Sequence, residues 1–173
     1  YADVKVAPLR EIFCNANKVY VYDLGDDKTV VDVINAFEPY EFNVICAYTE
    51  TAEDISAYIT GVKTWRDEMG KKCQLVVYNT DKVDHEGVIN VVSTVSNEGA
   101  DAYALVAWVA GAEAGCKVNE SCTNKLYNGE YTIVTDKTQK QLEDCIKNGQ
   151  IAFHLVYGDV RLLEDINTLT TTN

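Results

Sequence analysis

The first half of the chain alternates between short apolar runs and longer segments in which apolar residues recur every three or four positions. The runs at residues 18–24, 42–48 and 73–79 are rich in β-branched and aromatic residues, a composition typical of buried strands. The helical spacing predicts helices over residues 29–38 and 51–69. Strands and helices that alternate with short turns indicate a sheet built largely of parallel strands.

The second half departs from this alternation. Residues 87–94 predict one more apolar strand, and residues 101–115 predict a helix that is apolar on every side. A helix of that kind belongs in the interior of a protein, so we expect it in the core rather than in a contact between subunits. The capping-box pair Thr138 and Gln141 opens a last helix.

Two hairpins are predicted in the C-terminal third. Asn128 and Gly129 favour a tight turn within residues 126–131. The strand-like runs 151–157 and 160–169 flank a second turn.

Length and composition are those of one globular domain. The chain has 173 residues, of which 47% are hydrophobic and 24% charged, and a chain of this size hides about 70% of its extended-chain surface on folding. A short helix is also predicted at residues 6–13. Residues 1–173 therefore predict a single α/β domain with a mixed, mostly parallel sheet, flanking helices and additional antiparallel hairpins.

The charge and hydropathy patterns argue against two classes of partner. The formal net charge is −12, and a field of this sign repels phosphate backbones, so no nucleic-acid partner is expected. The longest near-continuous apolar stretch, residues 102–112, is about half the length that a bilayer requires, so no membrane partner is expected either.

The six cysteines do not form a recognisable ligand or redox motif. None belongs to a CxxC pair, and Cys116 and Cys122 are too far apart in sequence for the usual zinc knuckle. Cys46 and Cys73 lie in apolar strand-like runs, where a thiol behaves as a small hydrophobe. We expect free thiols in a reducing compartment; a thiol-dependent redox protein is an alternative that requires a cysteine with a lowered pKa.

One acidic cluster deserves a chemical interpretation. Asp23, Asp26 and Asp27 follow the first predicted strand, where parallel sheets place ligand sites. They are consistent with a Mg²⁺-assisted nucleotide enzyme, or with a polar turn that precedes a helix. The phosphate-cradling patterns GxGxxG and GxxxxGK[ST] are absent. His85 and His154 lie in no nucleophile motif, and no catalytic, cofactor-binding or metal-ligating residue is predicted.

Several strings share a common family resemblance. AFEPYEFNV at 36–44, HEGVINV at 85–91 and AWVAGAEAGCKVNES at 107–121 resemble the sheath proteins of contractile tails. LYNGEY at 126–131 and EDINTLTT at 164–171 follow in the same order as in that family. The resemblance extends from about residue 18 to the last residue. The family comprises the sheaths of myophages, defective prophages and R-type bacteriocins.

The resemblance implies a structural role. Sheath subunits stack in rings around an inner tail tube, and extended arms from both termini add strands to the sheets of neighbouring subunits. Contraction of this lattice drives the tube through a cell envelope, without catalytic residues or cofactors. Such a protein belongs to a virion tail or tailocin particle that assembles in the bacterial host cytoplasm.

The resemblance also sets expectations for domain organisation. Residues 1–173 correspond to the sheath core domain, and the N-terminal arm and the C-terminal domain with its arm are expected to lie outside them. Many relatives insert an outer domain after the first strand, whereas residues 25–27 are expected to form only a turn.

The terminal stretch is the candidate contact with neighbouring subunits. Its composition is β-prone, which suits an edge strand or the root of an arm, although it can equally complete the domain's own sheet. The candidate residues of this root are Glu164, Asp165, Ile166, Asn167, Thr168, Leu169, Thr170 and Thr171.

Overall fold

The structure, a computed structural model, describes residues 6–81 and 83–171. Two helices precede the first strand, one helix separates the first and second strands, and the third strand follows the second directly. Two further helices and then three further strands complete the order. The helices are α1 (Val6–Phe13), α2 (Val30–Phe37), α3 (Ala52–Asp67), α4 (Leu105–Gly115) and α5 (Gln139–Lys147). The strands are β1 (Val44–Cys46), β2 (Gln74–Tyr78), β3 (Val88–Val91), β4 (Gln150–Ile151), β5 (Phe153–Val156) and β6 (Asp159–Leu162).

The main sheet contains four parallel strands in the order β1-β2-β3-β4. Strands β5 and β6 form a separate antiparallel hairpin. This arrangement confirms the predicted α/β class with a mostly parallel sheet, flanking helices and an antiparallel pair. None of the described helices is long and apolar enough to cross a membrane.

Helices cover both faces of the sheet, so its central strands are apolar on both sides. Leu75 and Val77 of β2 face a core formed with α2 and α3, whereas Val76 between them joins a core formed with α4. This alternation follows from the two-residue period of a strand. Two-sided burial explains why the parallel strands have continuous apolar sequences.

Helix α4 occupies the centre of the molecule, as its uniformly apolar sequence predicts. Every residue from Leu105 to Ala112 is buried. At Gly111 and Gly115 an added Cβ would overlap the backbone carbonyls of Ile12 and Asn15. The small residues of α4 therefore let α1 and the residues after it pass directly over the helix.

The predicted strand at residues 18–24 is wrong. The segment contains no strand residues, and β1 is the edge of the main sheet. A groove of about 590 Å³, lined by this segment, α1, α2 and β1, separates the segment from the sheet. Residues 18–24 have the propensity of a strand, but β1 offers only a three-residue edge, and a strand forms only where a partner ladder is within reach.

The other differences concern the C-terminal half. The run 151–157 is divided at Ala152, because β4 pairs with β3 whereas the amide of Phe153 donates to Ser93 Oγ at 2.9 Å. The run 160–169 is a strand only as far as Leu162. Residues 129–131 form a bend, and no hairpin forms around Asn128 and Gly129, since Leu126 pairs with Arg161 of β6 instead of with residue 131.

Candidate assembly surface

The candidate arm root, residues 164–171, is held on the domain at three points. The first is Asp165, whose Oδ2 accepts hydrogen bonds from Ser121 Oγ at 2.9 Å and from the Cys122 amide at 2.8 Å. The Asp165 amide in turn donates to Thr123 Oγ1 at 2.9 Å. These bonds tie the start of the segment to the loop that follows α4.

The second point is Thr168, which is buried although its neighbours are not. Its amide donates to the Val88 carbonyl at 2.8 Å, and its hydroxyl donates to the His85 carbonyl at 2.9 Å. The hydroxyl also accepts from the His85 amide at 3.2 Å. A threonine thereby satisfies backbone groups at the start of β3, as buried polar groups require.

The third point is Asp84, which adopts a φ of 52° in the loop before β3. Its Oδ1 accepts from the amides of Thr170 at 2.8 Å and Thr171 at 3.0 Å, and the Thr171 hydroxyl donates to its Oδ2. These donors, led by the Thr171 hydroxyl, stabilise the carboxylate and hold the pKa of Asp84 well below its usual range. Asp84, in the loop that leads into β3, therefore anchors the end of the segment to the domain.

The Asp84 contact predicts a pH-dependent release of the segment. Because the folded-state pKa lies below the ordinary aspartate value, the anchor is complete above that value and is lost as the pH falls towards the folded-state pKa. At neutral pH, Asp84→Asn should accelerate amide exchange at Thr170 and Thr171 by about threefold to tenfold, since bonds to a charged acceptor are the stronger ones.

Hydrogen exchange followed by NMR measures this effect at each amide. Asp81→Asn, on an exposed position of the same loop, is the matched control and should leave both rates unchanged. Equal rates in Asp84→Asn and the parent chain would contradict the anchoring role.

The anchors leave one side of the segment open. Leu169 is 47% exposed, whereas Ile166 packs against the core around α4. The eight candidate residues thus form one continuous stretch that is fixed to its own domain through Asp165, Thr168 and the Thr170–Thr171 pair. They form no ladder with the main sheet, so the alternative that this stretch completes the sheet is not what the fold shows.

The acidic residues near the N-terminal end do not form a site. Asp23, Asp26 and Asp27 are exposed, and Asp23 Oδ1 accepts from the Gly25 amide at 3.1 Å. Gly25 has a φ of 55°, as expected for a tight turn. Within residues 6–81 and 83–171, no group of metal-ligating side chains includes any of the three aspartates. The polar-turn interpretation therefore fits the geometry.

Five of the cysteines have raised pKa values, which is the opposite of what a reactive thiol needs. All six are free, and burial raises the pKa of Cys46 to about 12. Burial likewise raises the pKa of Cys14, Cys73 and Cys145. A redox-active thiol needs the opposite shift, so these values weigh against a thiol-redox protein. His85 Nδ1 accepts from the Gly87 amide rather than pairing with a thiol.

One cluster has no counterpart among the sequence predictions. Glu113 near the end of α4, Cys122 in the following loop and Asp165 in the candidate root bring their ligand atoms within 4.8 Å of one another. Burial, and then the charge of Asp165, raises the pKa of Glu113 to about 7. The only sequence signal was Glu113 itself, a carboxylate near the end of an otherwise apolar helix.

Comparison with known proteins identifies the class. Residues 27–168 match the family model described as the phage tail sheath protein central domain. The protein is therefore a structural component of the phage-tail type. More closely, the chain belongs to the phage tail sheath protein family, over its central domain, which confirms the resemblance seen in the sequence.

Two relatives illustrate the extent of the similarity. YqbK of Bacillus subtilis (strain 168) is 33% identical over 158 residues, which are 85% of this chain and 34% of that protein. The tail sheath protein of Clostridium phage phiCD119 is 27% identical over 158 residues, 90% of this chain and 44% of that protein. The chain thus spans between a third and a half of the length of these relatives.

Solved structures share the fold. The sheath tail protein from Desulfitobacterium hafniense aligns with a TM-score of 0.75 at 33% identity, over 83% of this chain and 35% of that chain. The helical sheath of the anti-feeding prophage in its contracted state aligns with a TM-score of 0.68 over 95% of this chain and 54% of that chain. At 12% identity, this second likeness shows the fold alone.

Proposed function

We propose that this protein is a structural subunit of a contractile tail sheath, which polymerises around an inner tail tube and drives the tube through a cell envelope. The family match over residues 27–168 carries the proposal. The subunit works through lattice contacts and needs no catalytic residue or cofactor. Its place is a virion tail or tailocin particle, assembled in the host cytoplasm.

The geometry supports residues 164–171 as the root of an inter-subunit arm. Asp84 and Thr168 fix the segment on its own domain, so force applied further along the chain would reach the body through these contacts. Leu169 remains exposed beside them. Addition of a strand to a neighbouring subunit would then combine main-chain hydrogen bonds with an apolar contact, as in other cases of β-augmentation.

The test is assembly of the protein at its full natural length. We expect tubes visible by negative-stain electron microscopy, and Leu169→Asp should lower the pelleted fraction about tenfold or more. An unpaired charge buried at each repeated contact costs more than the ~1.4 kcal/mol that corresponds to a factor of ten.

Leu155→Asp supplies the matched control, because Leu155 is a comparably exposed leucine, 58% accessible, on β5. It should pellet like the parent. Protein that stays monomeric at high concentration with its tube protein present would refute the sheath role. Normal assembly of Leu169→Asp would refute only the root assignment.

A further inference from the structure

Three side chains from distant parts of the sequence meet at the end of α4. They are Glu113, Cys122 and Asp165, and one ligand atom of each lies within 4.8 Å of the other two. In a tetrahedral zinc site, ligand atoms about 2.0–2.3 Å from the ion lie about 3.3–3.8 Å apart. Small side-chain rotations therefore bring this trio to coordination distance.

An orphaned oxygen within the trio points to a ligand. Glu113 Oε1 is buried and has no hydrogen-bond partner among the described residues, whereas the Glu113 carboxyl as a whole is close enough to Cys122 and Asp165 for both to influence its pKa. A buried acceptor without a hydrogen bond costs desolvation free energy, and this cost is largest for a charged acceptor. Helix α4 is otherwise apolar, and its neighbouring residues Ala110 to Ala112 are buried, so nothing in the pattern of the helix requires a carboxylate here.

The surroundings of Glu113 are short of positive charge. Cys122 is completely buried. Burial, and then the Asp165 carboxylate, raise the pKa of Glu113, whereas a hydrogen bond with Cys122 and the charge of Lys125 oppose this shift. The bonds from Ser121 and Cys122 both reach Asp165 Oδ2, which leaves Oδ1 outside them. A divalent cation would compensate both carboxylates and the sulfur at once.

We propose that Glu113, Cys122 and Asp165 form a binding site for a zinc-class divalent cation. A thiolate with two carboxylates favours Zn²⁺ over the hard cations Mg²⁺ and Ca²⁺, which take oxygen ligands only. Binding releases the Cys122 proton, and the Glu113 proton where it is present, to solvent as the metal–ligand bonds form.

The site would connect two parts of the fold that carry the proposed function. Asp165 lies in the 164–171 segment, whereas Glu113 lies near the end of the central helix. A bound ion would thus fasten the candidate arm root to the core through metal bonds as well as hydrogen bonds. The ligand set itself is independent of the sheath assignment, because it is defined by this chain's own side chains.

Cobalt is the probe for the experiment, since Co²⁺ takes the place of zinc and a cobalt–thiolate bond gives a charge-transfer absorption in the near ultraviolet. Titrating the reduced 173-residue chain with Co²⁺ should produce this band with an end point at one equivalent, and Zn²⁺ should remove it. Cys122→Ser should abolish the band, and the near-isosteric Glu113→Gln and Asp165→Asn should each weaken Co²⁺ binding at least about tenfold.

Two variants serve as matched controls. Cys145→Ser removes another buried thiol, in α5, and Glu164→Gln removes the carboxylate next to Asp165; both should bind Co²⁺ like the parent. Circular dichroism establishes that each variant is folded, and if Cys122→Ser is not, the two carboxylate variants decide. Absence of the band in the parent, or equal binding by Glu113→Gln and Asp165→Asn, would overturn the site. Loss of the band in Cys145→Ser instead would place the metal elsewhere.

Discussion

Replacing Trp108 with alanine is expected to lower the free energy of unfolding by about 3–5 kcal/mol, the usual range for truncating a buried tryptophan. Trp108 is completely buried in α4. Its ring centroid lies 5.2 Å from that of Tyr127 and 5.6 Å from that of Phe153. Its indole Nε1 donates to Asn128 Oδ1 at 2.8 Å. The alanine variant loses the packing and the indole donor, which leaves Asn128 Oδ1 with the longer bond from Asn15 Nδ2 at 3.4 Å.

Thermal unfolding measures the loss. At roughly 2–4 °C per kcal/mol for a chain of this size, Trp108→Ala should lower Tm by about 6–20 °C. Trp108→Phe keeps an aromatic ring but not the indole donor, so its Tm should lie between that of the parent and that of Trp108→Ala. Tyr157→Ala removes a fully exposed aromatic side chain and should leave Tm nearly unchanged. A Trp108→Ala variant as stable as the parent would mean that α4 is not the centre of the core.

The parallel part of the fold follows directly from local patterns. Strands β2 and β3 are buried on both faces, so their continuous apolar runs are unambiguous. Helix α4 is apolar all round because the sheet and α1 cover opposite sides of it. The capping box at Thr138 likewise opens α5, with the Gln141 amide donating to Thr138 Oγ1. In these elements local preference and tertiary environment agree.

Prediction fails where pairing depends on distant segments. Residues 18–24 have a strand's composition, but strand formation requires a neighbouring ladder, and propensity carries no information on whether one is in reach. Residues 163–169 continue the apparent strand of β6, yet buried Thr168 and the anchor Asp165 bind groups near residues 88 and 122 instead. Such side-chain-to-backbone contacts have no sequence period.

The candidate site also has a part that the sequence predicts and a part that it does not. The position of the arm root could be inferred from its family resemblance, whereas its attachment through Asp84 could not, because 86 residues separate Asp84 from Thr170. The cluster of Glu113, Cys122 and Asp165 brings together positions that are far apart in the chain. No sequence motif with a regular ligand spacing therefore predicts it. Only the misplaced carboxylate in an apolar helix hints at it.

Removing the carboxylate of Glu11 is the second substitution with a large expected effect. Glu11 is only 1% exposed. Its Oε2 accepts from the Tyr127 hydroxyl at 2.7 Å and its Oε1 from the Glu130 amide at 2.7 Å. Burial, followed by the bond to Glu11, raises the pKa of Tyr127, so this tyrosine stays a neutral donor. The carboxylate therefore joins α1 to the bend at residues 129–131.

Glu11→Ala should lower the free energy of unfolding by about 2–4 kcal/mol, because two hydrogen bonds to a buried carboxyl group are lost and their two partly buried donors are left without this acceptor. Urea unfolding measures this value, and the slope of the transition reports whether α1 separates before the rest. The matched control is Arg10→Ala, next to it on α1. Among the described residues the Arg10 side chain forms an exposed ion pair with Glu130, so its removal should cost less than about 1 kcal/mol. Equal losses in the two variants would show that α1 docks through its surface charges, whereas a selective loss in Glu11→Ala means that the buried carboxylate holds α1 across the central helix.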